Sequence, residues 1–163
     1  MLYTDLFASP LGEILLVSDG EALCGLYFEG QKYYPELSEA KEEPSLPIFR
    51  SARAWLERYF TGEKPWVDLP LRAAGTAFQH AVWDQLKEIP YGATVTYGEL
   101  AGRLAAKQGR PCSARAVGAA VGRNPLSVIV PCHRVLGSGG SLTGYAGGLW
   151  RKRALLQLEG IAL

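Results

Sequence analysis

Cys132, His133 and Arg134 are consecutive residues whose types could carry covalent chemistry. They follow Pro131 and a β-branched run at 128–130, which predicts a short buried strand that ends at the proline. A thiol beside a histidine and an arginine can be nucleophilic, because a proton acceptor and positive charge favour the thiolate. A small buried cysteine without chemistry is the commoner use of such a residue, so the tripeptide alone leaves both interpretations open.

A glycine-rich segment at 137–148 follows the cysteine and predicts a loop whose backbone could approach a flat ligand closely. It contains neither Gly-x-x-x-x-Gly-Lys-Ser/Thr nor Gly-x-Gly-x-x-Gly, the patterns that cradle phosphates. Tyr145 within it could stack on a ring or line its pocket. The helix predicted next, at 149–159, contains the basic run 151–153, which we expect to be a solvated turn of an amphipathic helix.

The remaining cysteines and histidines set limits on other chemistry. Cys24, Cys112 and Cys132 are odd in number and far apart, which does not suit a disulfide framework. Since there is no Cys-x-x-Cys or His-x-x-x-His pair, we expect no metal, no other cofactor, and reduced thiols in a cytoplasmic protein. No apolar run is long enough to span a bilayer, and the first residues show no basic region that leads into an apolar run. We therefore expect neither a secretory leader nor membrane association.

Charge is divided unevenly along the chain. Residues 1–75 carry 7 Lys/Arg and 12 Asp/Glu, a net charge of −5, whereas residues 76–163 carry 10 and 4, a net charge of +6. The second half therefore attracts polyanions and the first half repels them, although surface charge can also segregate without function.

The first half predicts a small sheet followed by a helix. Short apolar runs alternate with turn residues, the pattern of a three-stranded antiparallel meander. The strands are predicted at 2–7, 13–17 and 23–28. After a charged stretch, apolar residues with helical spacing predict a helix from Ile48 to Phe60 that ends at Thr61 and Gly62, and 65–70 is a predicted linker.

The second half predicts helices that begin at capping residues. Thr76 with Gln79 and Thr96 with Glu99 form capping boxes, and Ser113 can cap a third helix. The helices are predicted at 77–89, 97–104 and 114–124. Because the third consists mainly of small residues, its backbone could closely approach either a nucleic-acid groove or a neighbouring helix. A helix-turn-helix and an ordinary packed bundle both remain open at this point.

Three runs of residues in the second half follow a recognisable order. They are Asn124-Pro125, then Ile129-Val130-Pro131-Cys132-His133-Arg134-Val135, then Leu142-Thr143-Gly144-Tyr145-Ala146-Gly147-Gly148. Upstream matches include Ile89-Pro90-Tyr91-Gly92, Tyr97 and Arg115-Ala116-Val117-Gly118. Together these residues resemble the O6-alkylguanine-DNA alkyltransferase family over 76–160, and Pro-Cys-His-Arg in this setting is specific.

The resemblance implies an α+β fold with two domains. Residues 1–72 would form an antiparallel sheet with a helix, similar to ribonuclease H. Residues 73–163 would form a helical domain with a winged-helix-like helix-turn-helix and an active-site loop, and this domain would bind DNA.

The resemblance also implies the catalytic roles. Cys132 would irreversibly accept an alkyl group from O6 of guanine in DNA, once per molecule. His133 would take the thiol proton, through a water, and Glu159 would orient His133. Tyr97 would donate a hydrogen bond to guanine N3, and Asn124 would be the hinge between the recognition helix and the active-site loop.

The remaining implied roles concern the damaged base and its duplex. Backbone carbonyls of Cys132 and Val135 would accept from the guanine amino group, the Ala146 N–H would reach O6, and Tyr145 would line the pocket. Arg115 would enter the base stack after the nucleotide is extruded. Gly118 and Ala119 would allow close approach to the minor groove.

The expected partner is double-stranded DNA that contains O6-alkylguanine. We expect a monomer, and cooperative assembly along DNA stays open. Two other classes of protein compete with this interpretation. One is a non-catalytic alkyltransferase-like protein that binds lesions, against which Cys132 argues. The other is a cysteine hydrolase, for which His80 is the only remaining histidine.

Overall fold

The computed structural model describes all 163 residues, which form two compact units. Unit 1 comprises Met1–Ala74 and Pro125–Ile129, and unit 2 comprises Gly75–Asn124 and Val130–Leu163. Sheet and helices are both present, so the predicted α+β class is confirmed. None of the helices combines the length and the apolar character needed to cross a bilayer.

Unit 1 contains the predicted meander. Strands β1 (Tyr3–Ser9), β2 (Gly12–Ser18) and β3 (Leu23–Phe28) pair antiparallel in sequence order. A two-residue strand, β4 (Lys41–Glu42), pairs parallel with β1 and gives the sheet order β3-β2-β1-β4. The sequence did not predict β4, because two exposed charged residues show no apolar alternation.

Helix α1 (Pro47–Phe60) packs on this sheet and was predicted correctly. Its proline stands in the first turn, where the missing N–H costs nothing, and the helix stops at Thr61 before Gly62 at φ +91°. The core of the unit consists of apolar side chains from both layers. They include Ile14, Leu16, Leu26 and Phe28 of the sheet and Phe49, Leu56 and Tyr59 of α1.

The predicted strand at 128–130 is wrong. Val128 has φ +69°, and the Ile129 N–H donates to the Ser127 carbonyl at 2.8 Å, which closes a three-residue turn around Val128. Only Leu126 in this region forms a β-bridge, with Leu26 of β3. The β-branched residues are buried, and burial accounts for their composition without a strand.

Unit 2 is built from four helices and a pair of short parallel strands. The helices are α2 (Ala77–Lys87), α3 (Tyr97–Gln108), α4 (Ala114–Gly122) and α5 (Leu149–Leu158). The strands are β5 (Val95–Thr96) and β6 (Val135–Leu136).

The capping signals position the starts of three of these helices. The hydroxyls of Thr76, Thr96 and Ser113 accept the N3 backbone N–H of α2, α3 and α4 at 3.0–3.1 Å. Helix α3 continues beyond the predicted end at 104 until Gly109, which has φ +70°. Helix α4 ends at Gly122, not at 124.

Helix α4 uses its small residues on two faces. Val117, Ala120 and Val121 are buried against other helices, and the Trp83 indole N–H donates to the Ala120 carbonyl at 2.9 Å. Arg115 and Ala119 are exposed. One face therefore packs tightly within the unit, and the other presents a nearly bare backbone with one arginine.

Candidate active site

Cys132 lies where one tight turn ends and a second begins. Pro131 has φ −80° and ψ 63°, and the Cys132 N–H donates to the Val130 carbonyl at 2.8 Å, the geometry of an inverse γ-turn. A single 3₁₀ turn, Cys132–Arg134, follows and leads into β6. The thiol-bearing residue is 6% exposed, so the thiol lies in surroundings nearly free of bulk water.

Asn124, just after α4, bridges to this turn. Its amide Nδ2 donates to the Val130 carbonyl at 2.8 Å, and its side chain also hydrogen-bonds the Cys132 side chain. Burial raises the pKa of the Cys132 thiol; the Asn124 amide, the Lys152 ammonium and the Tyr145 hydroxyl each lower it in part. The surroundings thus hold a buried thiol among donors that favour its anion.

His133 and Glu159 make the contact expected of a base and its orienting carboxylate. The His133 Nε2 and Glu159 Oε2 atoms are 2.6 Å apart, and both side chains are fully buried. Burial lowers the pKa of His133, Glu159 raises it, and the charges of Arg134 and Lys152 lower it further. The imidazole is therefore neutral near pH 7, as a proton acceptor must be.

Arg134 completes this cluster from the next position in the chain. Its Nε and Nη2 atoms donate to the two carboxylate oxygens of Glu159 at 2.7 and 3.1 Å, and Nη1 donates to the Ile89 carbonyl at 2.7 Å. The Gly92 N–H donates to Glu159 Oε1 at 3.1 Å. The carboxylate at the end of α5 is thus fully coordinated.

Tyr97 is the first residue of α3 and lies beside the glycine-rich loop. Its hydroxyl donates to the Thr143 carbonyl at 3.4 Å. Burial and the nearby Cys132 raise the pKa of Tyr97 to about 12, so the hydroxyl keeps its proton at neutral pH. A hydroxyl that stays protonated is suited to donate to an acceptor on a bound base.

Lys152 is the residue that the sequence reasoning missed. The basic run was expected to be solvated, but only Arg153 is exposed, and both Arg151 and Lys152 are buried. The Lys152 ammonium donates to the carbonyls of Thr143 and Gly144 at 2.8 and 3.0 Å. It lies 5.7 Å from the centre of the Tyr97 ring.

The electrostatics of Lys152 connect it to the thiol. Burial lowers the pKa of Lys152 to about 8, and the charge of Cys132 opposes part of that shift. A sequence signal for its burial did exist: Lys152 lies three and four residues before the core residues Leu155 and Leu156, on the same helix face.

The other predicted substrate-binding residues lie on three separate segments. Val135 is buried in β6, and Tyr145 and Ala146 are half-buried in the loop. Gly118 of α4 faces Tyr97, since a Cβ there would come within 3.7 Å of the Tyr97 ring. Arg115 and Ala119 lie on the exposed face of α4, whereas Cys132, His133 and Glu159 are buried.

The alternative chemistries gain no support from the geometry. His80 is exposed on α2 with its ring packed edge-on against Trp83, 5.2 Å away, whereas Cys132 is buried beside His133. No group of three or more His, Cys, Asp or Glu side chains is arranged to hold a metal ion.

Two family models match the chain, and together they cover almost all of it. The 6-O-methylguanine DNA methyltransferase, ribonuclease-like domain, matches residues 2–73. The 6-O-methylguanine DNA methyltransferase, DNA binding domain, matches residues 77–161.

Individual proteins give the same result. A methylated-DNA–protein-cysteine methyltransferase of Haemophilus influenzae is 48% identical over 98% of this chain and 87% of its own length. A protein of the same name from Methanosarcina acetivorans is 48% identical over 98% of this chain and 99% of its own length. The crystal structure of Mycobacterium tuberculosis OGT in complex with DNA is 44% identical, covers 97% of this chain and 91% of its own, and has a TM-score of 0.86.

Proposed function

Because the chain belongs to the O6-methylguanine DNA methyltransferase family, we propose that it repairs DNA directly, with Cys132 as the alkyl acceptor. The observation that carries the proposal is the buried cluster in which Cys132 is followed by His133, itself 2.6 Å from Glu159. Cys132, His133 and Glu159 all belong to unit 2. We assign both DNA binding and alkyl transfer to residues 73–163, and a supporting fold to residues 1–72.

The reaction uses side chains of this chain, one water and the damaged base. The Cys132 proton passes to His133, by way of a water, and the thiolate attacks the alkyl carbon on guanine O6. A carbon–sulfur bond forms, the carbon–oxygen bond breaks, and its electron pair stays on the guanine. The guanine takes up one proton, which balances the proton that left the thiol and that His133 then gives up. The product thioether has no leaving group that water could displace, so each molecule acts once.

The electrostatics fit this sequence of events. Burial would keep Cys132 as a thiol, but Asn124, Lys152 and Tyr145 favour its anion. A neutral His133 is available as the acceptor. General base catalysis of this kind typically accelerates a reaction by about 10²- to 10⁴-fold.

Tyr97 would act on the leaving guanine. Negative charge develops on the ring as the alkyl group departs, and a fixed O–H donor at N3 stabilises it more than it stabilises the ground state. The Cys132 and Val135 carbonyls would accept from the guanine amino group, the Ala146 N–H would reach O6, and Tyr145 would line the pocket. These backbone groups belong to the turn and loop that also carry the thiol and its neighbours.

DNA is the partner that the family and a related structure indicate. We propose that α3 and α4 form the helix-turn-helix and that the exposed face of α4 enters the minor groove. Gly118 and Ala119 would allow close approach, and Arg115 would fill the space left by the extruded nucleotide. Asn124 would couple α4 to the Cys132 turn through its bond to the Val130 carbonyl.

A single chain carries the thiol, the base and the DNA-binding helices, so the proposal requires one copy for each lesion. Its three free cysteines fit the reducing cytoplasm.

The test is the intact mass of the protein after mixing with duplex DNA that contains one O6-methylguanine. Wild type should gain one methyl group, about 14 Da, on Cys132. Cys132→Ala and wild type with undamaged DNA should gain nothing, whereas Cys112→Ser, a matched change at a half-exposed cysteine, should gain as wild type does. Tight binding to the lesion without a mass gain would instead identify a non-catalytic lesion-binding protein.

A further inference from the structure

Arg134 has a buried guanidinium that the reaction described above does not use. Its side chain is 11% exposed and makes three hydrogen bonds, two to the Glu159 carboxylate and one to the Ile89 carbonyl. The guanidinium also lies 5.7 Å from the centre of the Tyr91 ring. The side chain is therefore held in one orientation, with its charge directed at Glu159.

Glu159 depends on this charge to remain an anion. Its side chain is fully buried, and a buried carboxyl group without a cation is more stable in the neutral form. The Gly92 N–H and the His133 Nε2–H also favour the anion, but neutral donors offset only part of the cost of burying a charge. The guanidinium, with its two parallel hydrogen bonds, is the main group that opposes protonation.

The protonation state of Glu159 decides which nitrogen of His133 carries the imidazole proton. An ionised carboxylate can only accept, so it requires N–H at Nε2 and leaves the Nδ1 lone pair available to accept a proton. A neutral carboxylic acid at 2.6 Å would donate to Nε2 and place the imidazole proton on Nδ1. With its proton on Nδ1, His133 could not take the proton of the neighbouring thiol by that atom.

We infer that Arg134 is a positioning residue that sets the tautomer of His133, by holding Glu159 ionised so that Nδ1 can accept the Cys132 proton. This inference rests on the proposed function, in which the thiol proton moves to His133 before the sulfur attacks the alkyl carbon.

Other charged and titratable groups face this cluster. Lys152 of α5 lowers the pKa of His133, in the same direction as Arg134. Burial and the charge of Glu159 raise the pKa of Tyr91, so that side chain stays neutral over the working range. Lys152 donates to the carbonyls of Thr143 and Gly144, and the Tyr91 hydroxyl donates to the Leu158 carbonyl. Arg134 is the cation that donates two hydrogen bonds to the Glu159 carboxylate.

The tautomer can be observed directly by ¹⁵N NMR of the histidine rings. The chain has two histidines, and His80 is exposed, so a His80→Gln background leaves His133 as the only signal. In that background, wild-type Arg134, Arg134→Lys and Arg134→Gln would be compared. Arg153→Gln is the matched control, because it removes one exposed positive charge on α5.

We expect N–H at Nε2 in the wild type, in Arg134→Lys and in Arg153→Gln. Arg134→Gln should show N–H at Nδ1 at pH 7 and return to Nε2 as rising pH ionises Glu159. Its alkyl-transfer rate should be about 100-fold below wild type at pH 7, with the gap closing over the same pH range. Arg134→Gln with N–H at Nε2 and an unchanged pH profile would overturn the inference.

Glu159→Gln gives a second test that keeps Arg134. The glutamine oxygen should accept from Arg134 and Gly92, and its NH₂ should donate to Nε2, so His133 should carry its proton on Nδ1. Persistence of N–H at Nε2 in this variant, or N–H at Nδ1 in the wild type, would contradict the inference even if Arg134→Gln did not fold. The NMR readout needs no DNA, so its outcome is separate from that of the mass measurement.

Discussion

The two ends of α5 each bury a charge, and they stabilise it in different ways. Near the start of the helix, the Lys152 ammonium is held by two backbone carbonyls and the Tyr97 ring. At the end of the helix, the Glu159 carboxylate is held by a bidentate arginine, a histidine and a backbone N–H. Carbonyl dipoles stabilise the charge of Lys152, whereas the full opposite charge of Arg134 stabilises that of Glu159.

Both charges oppose the preference of the helix dipole, which favours anions at the first turn and cations at the last. That preference is worth about 0.3–1 kcal/mol, less than the burial of either charge. The partners of each side chain therefore determine its place: α5 brings a cation, Lys152, near the Cys132 thiol and an anion, Glu159, against His133.

Removal of the buried charge should cost more stability at the end of α5, where Glu159 pairs with Arg134, than at its start. Glu159→Ala leaves Arg134 buried without its anion, and we expect the free energy of unfolding to fall by about 3–5 kcal/mol. Urea denaturation measures the change, with Gln157→Ala, an exposed change on the same helix, as the control. A double change, Glu159→Leu with Arg134→Met, should recover part of the loss because no buried charge remains. A loss no larger than that of the control would show that the cluster is not a buried ion pair.

At the start of α5, the buried Lys152 should instead make the free energy of unfolding depend on pH. The pKa of Lys152 is about 8 in the folded protein against an ordinary 10.5, so between these values the unfolded chain binds more protons. Stability should therefore rise with pH through this window, by about 3 kcal/mol in total for this group.

The measurement is the difference in unfolding free energy between wild type and Lys152→Met from pH 7 to pH 10.5. The free energy of unfolding of the wild type should increase relative to that of the variant as pH rises. Arg153→Met, at an exposed neighbour, should show no such trend. A constant difference across the range would mean that Lys152 titrates normally in the folded state.

The sequence predicted the elements of the fold better than the contacts within the site. The meander, α1 and the capped starts of α2 to α4 were predictable because each rests on local signals of periodicity and capping. The turn at Val128 and the strand β4 were not, because tertiary pairing and burial decide them.

Within the site, motif residues could be named by family resemblance, but the partners of Lys152 and Arg134 could not. Lys152 binds carbonyls eight and nine residues earlier, and Arg134 binds a carboxylate 25 residues later. No local pattern states which distant groups a helix end will meet. The charges placed against the helix dipole were nevertheless visible in the sequence and could have marked both ends of α5 as unusual.

Loss of the Lys152 charge should also slow alkyl transfer, by a smaller factor. A nearby cation typically lowers the pKa of a thiol by about one unit or more, and Lys152 acts on the Cys132 thiol in this direction. Lys152→Met should therefore reduce the rate of alkyl transfer at pH 7 by about tenfold. Above pH 8, where wild-type Lys152 is itself neutral, the two rates should converge. Single-turnover assays at pH 7 and 9 measure this. Equal rates at pH 7 would leave Lys152 a structural role only.

The smallest expected effect tests whether the helix dipole acts at all on this helix. Gln157 is exposed in the last turn of α5, two residues before Glu159. Without buried partners, a charge there should follow the dipole: Gln157→Lys should raise the free energy of unfolding by about 0.5 kcal/mol and Gln157→Glu should lower it by a similar amount. Both differences should shrink in 1 M salt, which screens exposed charges but not Glu159 among its buried partners. If Gln157→Glu did not lower the free energy of unfolding, the helix dipole would impose no measurable cost on an anion at the end of α5. The partners of Glu159 would then not be needed to explain why an anion stands there.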